Sequence, residues 1–372
     1  MTAIRTKKRW KKYSHRFEVE KQKRRAAKIL RRKKHRHHYL YTPKEQSLPK
    51  VQLSREQILE QEFPGYKHVR APQFFSLISN ETKTLLFLQE LKECLNARQK
   101  TLVRLDDVKY LSTEAILVLL SNMVHFRVEN VGFNGTKPTT SHVRQKLDSS
   151  GFFSHLYGDH ESGNDPYVFK KMSSHLYTHG QKTVASKETD TLVRYASETV
   201  WGEARRCQGV QKTLLELMHN THDHAGESKG EKHWWLSVEH NERNKEVTFS
   251  FIDFGVGIFR SLENKGPDEP LSGAMEYIKK LFPGAQTQVQ KLQLILEGKV
   301  QLTQTNEYYR GKGLAKIYSM YEQNMISSLS IISNNASFNA DKKDYHVVNK
   351  EFMGTFVSFK MNKNTKSLPW QI

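Results

Sequence analysis

The chain has 372 residues, 37% of them hydrophobic, and a formal net charge of +20. That length accommodates two folded domains of roughly 100–200 residues each. No run of about 18 apolar residues occurs, so no membrane-spanning helix is expected, and the cationic N-terminus lacks the following apolar segment of a secretory signal. The only cysteines, Cys94 and Cys207, have no paired spacing. That argues against a disulfide framework or a zinc ribbon and fits a reducing, cytoplasmic setting.

The charge is concentrated. Residues 1–48 carry eighteen Lys and Arg against three acids. Trp10, Tyr13 and Phe17 recur at helical spacing, so a basic helical arm is expected. Such an arm releases counterions from any phosphate backbone and binds nucleic acid without sequence choice; an acidic protein surface is the other partner it fits. His35, His37 and His38 sit in too cationic a tract to favour a metal.

Residues 66–160 alternate strand and helix. RAPQFFSLIS reads as a strand, and ETKTLLFLQELKECLNA as a helix with Leu85, Leu88, Leu91 and Leu95 on one side. TLVRLDDVKYL is a second strand ending in a turn. STEAILVLLSNMVHF follows as a helix that Ser112 or Thr113 can cap. NVGFNG is a short third strand, and SHVRQKLDSSGFFSHL, entered from Pro138, is a helix stopped at Gly151. The order predicts an α/β unit with a mixed sheet. The segments VRLDDVKYLSTEAILVLL and NG-x-x-P-helix-SGF resemble the STAS domain of anti-anti-sigma factors over about ninety residues. That resemblance implies a phosphorylatable hydroxyl at the helix start, where Ser112 and Thr113 stand. Residues 161–187 are polar and read as a linker or a small hairpin extension.

A second domain is expected over 188–372. Its most unusual stretch, LLELMHNTHDHAGE (214–227), packs three histidines among acids and an asparagine. On a helix at about 100° per residue, Leu214, Leu217, Met218, Thr221 and Ala225 form a buried face. Glu216, His219, Asn220 and Asp223 gather opposite, with His222 and His224 away from that group. The intervals do not give the H-E-x-x-H spacing of a zinc site. Downstream, EVTFSFIDFGVGIF is a strand running into Asp253, Gly255 and Gly257. Those glycines let the backbone turn and approach a ligand. YYRGKGLAKIYSMYEQN sets Gly311, Lys312 and Gly313 directly before a helix, whose N-terminus favours phosphate. EFMGTFVSFKM is a strand carrying Gly354 and Thr355.

Taken in order, these four elements resemble the GHKL ATPase superfamily, nearest to the anti-sigma-factor serine kinases, across about residues 190–362. The resemblance implies an α+β sandwich that binds ATP with Mg²⁺. Asn220 would complete the Mg²⁺ shell and Glu216 would be the catalytic base. Asp253 and Thr355 would hold the adenine, Gly255 and Gly257 would admit the nucleotide, and Gly311, Lys312 and Gly313 would hold its phosphates. The second glycine box departs from the usual pattern, because Ala315 and Lys316 follow Leu314. Residues 259–309 would form an unusually long lid that includes helical stretches at 272–282 and 287–299. Three outcomes for the ATP follow: transfer to a Ser or Thr in a STAS or sigma-factor-like partner or in the chain's own N-terminal unit, hydrolysis that opens and closes a lid or homodimer as a conformational switch, or binding alone by a scaffold.

Overall fold

The computed structural model describes residues 53–157, 174–179, 186–224, 234–253, 257–259, 284, 287–299 and 313–369. The chain divides into two compact units, residues 1–62 and 63–372. Of the first unit, only helix α1 (Arg55–Glu62) and its approach are described. Ser54 and Gln57 start that helix by exchanging backbone-to-side-chain bonds of 2.8 and 3.3 Å, the capping-box arrangement. The basic arm, 1–48, lies outside the described residues.

The second unit opens with β1 (Lys67–Arg70), β2 (Phe74–Phe75), α2 (Glu81–Asn96), β3 (Thr101–Arg104), β4 (Tyr110–Leu111), α3 (Thr113–Val128), β5 (Phe133–Gly135), α4 (Ser141–Ser149) and α5 (Phe152–Tyr157). Strands β1, β3 and β5 make a parallel sheet in that order, and β2 pairs with β4. The strand expected over 70–79 is displaced. β1 ends at Arg70, and Pro72, which has no N–H to give a ladder, separates it from the two-residue β2. The last expected helix is two helices, because Gly151 adopts φ +84° between α4 and α5.

Beyond it lie β6 (Ser174–His179), α6 (Ser186–Trp201), β7 (Arg205–Arg206), α7 (Gln208–His224), β8 (Trp234–Asn241), β9 (Glu246–Asp253), α8 (Gln288–Leu296), α9 (Gly313–Glu322), β10 (Ser327–Asn339), β11 (Asp344–Asn362) and β12 (Leu368–Pro369). Five of these strands form an antiparallel sheet in the order β10-β11-β9-β8-β6. Part of the stretch expected as a linker, β6, is therefore an edge strand of this sheet. Within the expected lid, α8 is a packed helix: Thr287 and Gln290 form its capping box, and Leu292, Ile295 and Leu296 are buried in the core.

Both faces of the five-stranded sheet are covered. One face presents Val247, Phe249 and Phe251 of β9 with Val357, Phe359 and Met361 of β11 to helices α6, α7, α8 and α9. The other presents Trp235, Ile252, Ile332 and Phe356 to a cluster shared with α2 and α3 of the N-terminal region. The sequence of α3 explains its place there. The run Ala115–Leu120 is apolar on every side and buried throughout, and a helix without a polar face must be enclosed. Each fully buried Leu or Ile contributes roughly 1.5–3 kcal/mol. Polar contacts reinforce the junction: Lys146 Nζ lies 2.8 Å from Glu239 Oε1, and Ser337 Oγ donates to Glu81 Oε2 at 2.9 Å. The molecule is thus a mixed α/β fold in which, among the described residues, two hydrophobic clusters lie on the two faces of the five-stranded sheet.

Candidate functional site

Helix α7 carries the first half of the site. Leu214, Leu217, Met218 and Thr221 are 0, 3, 3 and 2% exposed, so they form its inner face as its period requires. Glu216 and Asn220 are half-buried on its flank, while His219 is exposed. The side chain of Asp223, and those of His222 and His224, lie outside the described residues. Among the described residues, no group of three or more His, Cys, Asp or Glu side chains is arranged around a common metal position.

Helix α9 supplies the second half, and it begins at Gly313. A methyl group at Gly313 would stand 2.8 Å from Asn220 Oδ1 and 3.0 Å from its Nδ2. The asparagine amide therefore lies against the first residue of α9, at the positive end of the helix dipole. One turn further along α9 and one turn back along α7, Lys316 Nζ donates to Glu216 Oε1 at 2.7 Å. The two contacts run in opposite senses: 216 with 316, 220 with 313. The helices thus pack antiparallel at this point, with Asn220 at the mouth of α9 and the ion pair one turn along it. Gly311 and Lys312 lie outside the described residues.

The sheet provides the third part. Register places Ser333 opposite Thr355, Thr355 opposite Asp253, and Asp253 opposite Trp234. Directly opposed residues share a face. Asp253 follows Phe249 and Phe251 at the strand period, and Thr355 precedes Val357 and Phe359, so the row points toward the helices that include α7 and α9. The sequence-predicted Asp253 and Thr355 are therefore neighbours on the face that meets the helix carrying Glu216 and Asn220.

A hydrogen-bonded frame fixes the turn after β9. Gly257 adopts φ +80°, and the Asn334 side chain fills the space where its Cβ would be. Ile258 N donates to Ser333 Oγ at 3.0 Å, and Phe259 N to Asn334 Oδ1 at 3.2 Å. Ser333 Oγ in turn donates to Gly354 O at 2.9 Å, and Asn334 Nδ2 to Glu351 Oε1 at 3.0 Å. Asn334 at φ +51° and Gly354 at φ +95° mark the irregular register of β10 against β11, which frees these groups from the ladder. Gly255 lies outside the described residues. Sequence reasoning missed Ser333 and Asn334, and marked Lys316 only as part of the departure in the second glycine box. The only available signal was the Asn334-Asn335 pair within a strand, since asparagine is poor in strands and tolerant of positive φ.

The hydroxyls expected as phosphoacceptors are interior. Ser112 is 4% exposed and caps α3: its Oγ accepts from Ala115 N at 3.3 Å and donates to Phe75 O at 3.2 Å. Thr113 is 2% exposed, and its Oγ1 is buried without a hydrogen-bond partner. Glu114 beside them accepts from Ser76 Oγ at 2.7 Å, and burial pushes its carboxyl above the usual range. Nearby, Arg104 grips Asp106 with two bonds of 2.7 Å, and Thr136 Oγ1 adds a third at 2.7 Å. The guanidinium holds the Asp106 carboxyl well below its ordinary value. This pair at the end of β3 fastens the strand to the loop that leads to α3.

No known protein family matches the chain, and no curated protein is recognisably similar to it.

Proposed function

We propose that this protein is an Mg²⁺-dependent ATP-binding regulatory protein of the GHKL type, in which a STAS-like N-terminal layer is packed against the sheet of the nucleotide domain. The observation that carries the reading is the contact of Asn220 with Gly313, two residues that sequence motifs assign independently to one metal-phosphate site. The cross-strand pair Asp253–Thr355 on the same side of the sheet supports it. The donor set fits the cation: Asn220 offers a hard oxygen at a helix mouth, and Mg²⁺ typically takes one or two protein oxygens and completes its shell with phosphates and water. Bound there, Mg²⁺ supplies charge neutralisation for the phosphates. Asp253 would accept from the adenine amino group, with Thr355 beside it. The glycine at 257 keeps the turn free of a side chain, and the α9 terminus offers N–H groups to phosphate.

Two features favour a nucleotide-gated switch as the output. The N-terminal layer shares a core with the sheet, so a change at the site is felt there. Ser112 and Thr113 are buried, so a kinase would reach them only after α3 opens. Phosphotransfer to a separate STAS-type or sigma-factor-like partner, and contact of the basic arm with nucleic acid, are further proposals that rest on the sequence alone.

The test is calorimetric titration of Mg-ATP into the full chain and into Asp253→Asn. We expect saturable binding by the wild type and a loss of at least tenfold in the variant. No binding by the wild type, or equal binding by the variant, overturns the reading.

A further inference from the structure

Lys316 stands with Ala315 where the second glycine box departs from the expected pattern, and its ammonium meets the carboxylate expected to act as base. The Lys316–Glu216 contact is 2.7 Å, with side chains 36 and 26% exposed. It lies one turn along α9 from the mouth where Asn220 meets Gly313. A carboxylate that accepts a proton from water or a hydroxyl must direct a lone pair at that nucleophile within hydrogen-bond reach. Here one of the two carboxylate oxygens, Oε1, accepts from an ammonium instead, which ties the orientation of the group to α9. The two helices come from distant parts of the chain, a hundred residues apart, so the pair also depends on how α9 is seated on α7.

We propose that Lys316 is a positioning residue that restrains turnover, by drawing the Glu216 carboxylate toward α9 and away from the nucleophile. The proposal rests on the nucleotide reading given above and deepens it: turnover is faster when the Lys316–Glu216 pair is separated. A partly exposed ion pair is weak, so the restraint is modest. Its removal should raise kcat about three- to fivefold. Nucleotide affinity should change less, because the pair lies a turn away from the helix mouth.

The experiment measures Mg-ATP affinity by calorimetry and phosphate release at saturating Mg-ATP for the full chain. The variants are Lys316→Met, Lys316→Arg, Glu216→Gln and Lys316→Met with Glu216→Gln. The expected result is a rise in kcat for Lys316→Met with affinity within about twofold, wild-type behaviour for Lys316→Arg, which keeps the ion pair, and no rise when Glu216 is already Gln. An unchanged or lower kcat in Lys316→Met overturns the proposal, as does a rise that persists without Glu216, or phosphate release undetectable in every protein. A tenfold loss of affinity in Lys316→Met makes Lys316 a phosphate ligand and equally overturns it. Failure of the wild type to bind Mg-ATP is a separate outcome; it removes the nucleotide reading itself and the proposal with it.

Discussion

Substituting Gly313 by Ala separates a site from a scaffold. The added methyl would stand 2.8 Å from Asn220 Oδ1, about 0.6 Å inside an ordinary contact of 3.4 Å. The asparagine amide can retreat by rotating its short side chain, but then it leaves the mouth of α9. Gly313 does not occupy a positive φ, so alanine fits the backbone, and exchanging glycine in a helix stabilises by up to about 1 kcal/mol. That gain and the local crowding nearly offset each other, so the melting temperature without ligand should move by less than about 4 °C. Binding should respond very differently. Misplacing a liganding group by a large fraction of an ångström costs ~10–100-fold. At Mg-ATP concentrations 100 times the wild-type Kd, ligand stabilises the wild type by about 2.7 kcal/mol, but stabilises the variant by only ~0.4–1.4 kcal/mol. Thermal melts of both proteins with and without Mg-ATP measure this difference directly. Equal ligand-induced shifts would refute the reasoning. So would a ligand-free variant destabilised by more than about 2 kcal/mol, because the contact would then be part of the scaffold alone.

Gly257→Ala should behave oppositely: it should be costly without any ligand. The residue would have to hold φ +80° and displace Asn334, which is fully buried and bonded to Phe259 N and Glu351. A loss of ~2–4 kcal/mol in urea unfolding is expected; a loss below about 0.5 kcal/mol would mean the turn is not held as described. Arg104→Met leaves the buried Asp106 carboxylate without its guanidinium partner, and should cost about 3–5 kcal/mol near pH 7. Because Asp106 is held below its ordinary value in the folded chain, its contribution is present above about pH 4 and is lost as the solution is acidified below that. The gap between wild type and variant should therefore narrow on acidification, and a gap independent of pH would refute the assignment.

Much of α7 was legible in the sequence, because its inner face is apolar and its outer flank polar, so the 3.6-residue period separates Leu214, Leu217 and Met218 from Glu216 and Asn220. Strand β9 was legible for the corresponding reason at period two. Strands β8 and β10 were not. Both are covered on two faces, which removes alternation. β10 also fills its interior with Ser330, Ser333, Asn334 and Ser337, a composition that reads as loop. The second cover of the sheet was equally invisible: α2 and α3 look like helices of a self-sufficient domain, and nothing local in Trp235, Ile252 or Phe356 says that their partners lie more than a hundred residues upstream. Of the site, the motif residues were legible, while the groups that fix them, Ser333 and Asn334, lie at an irregular register that no pattern announces.

The order of strands in the large sheet has a consequence for how the protein is made. β11 lies between β9 and β10, yet it follows every other strand of that sheet in the chain. Until it arrives, β9 has an open edge and β10 lacks its partner. The apolar run Ala115–Leu120 of α3, synthesised long before, lacks part of its cover. A ribosome-bound chain therefore carries an exposed apolar helix through most of its synthesis, and final closure joins segments far apart in sequence. Such topologies fold slowly and are open to aggregation on the way. A truncation that removed β11 would leave β9 and β10 with unpaired edges, and should cost the protein its fold before it altered any chemistry.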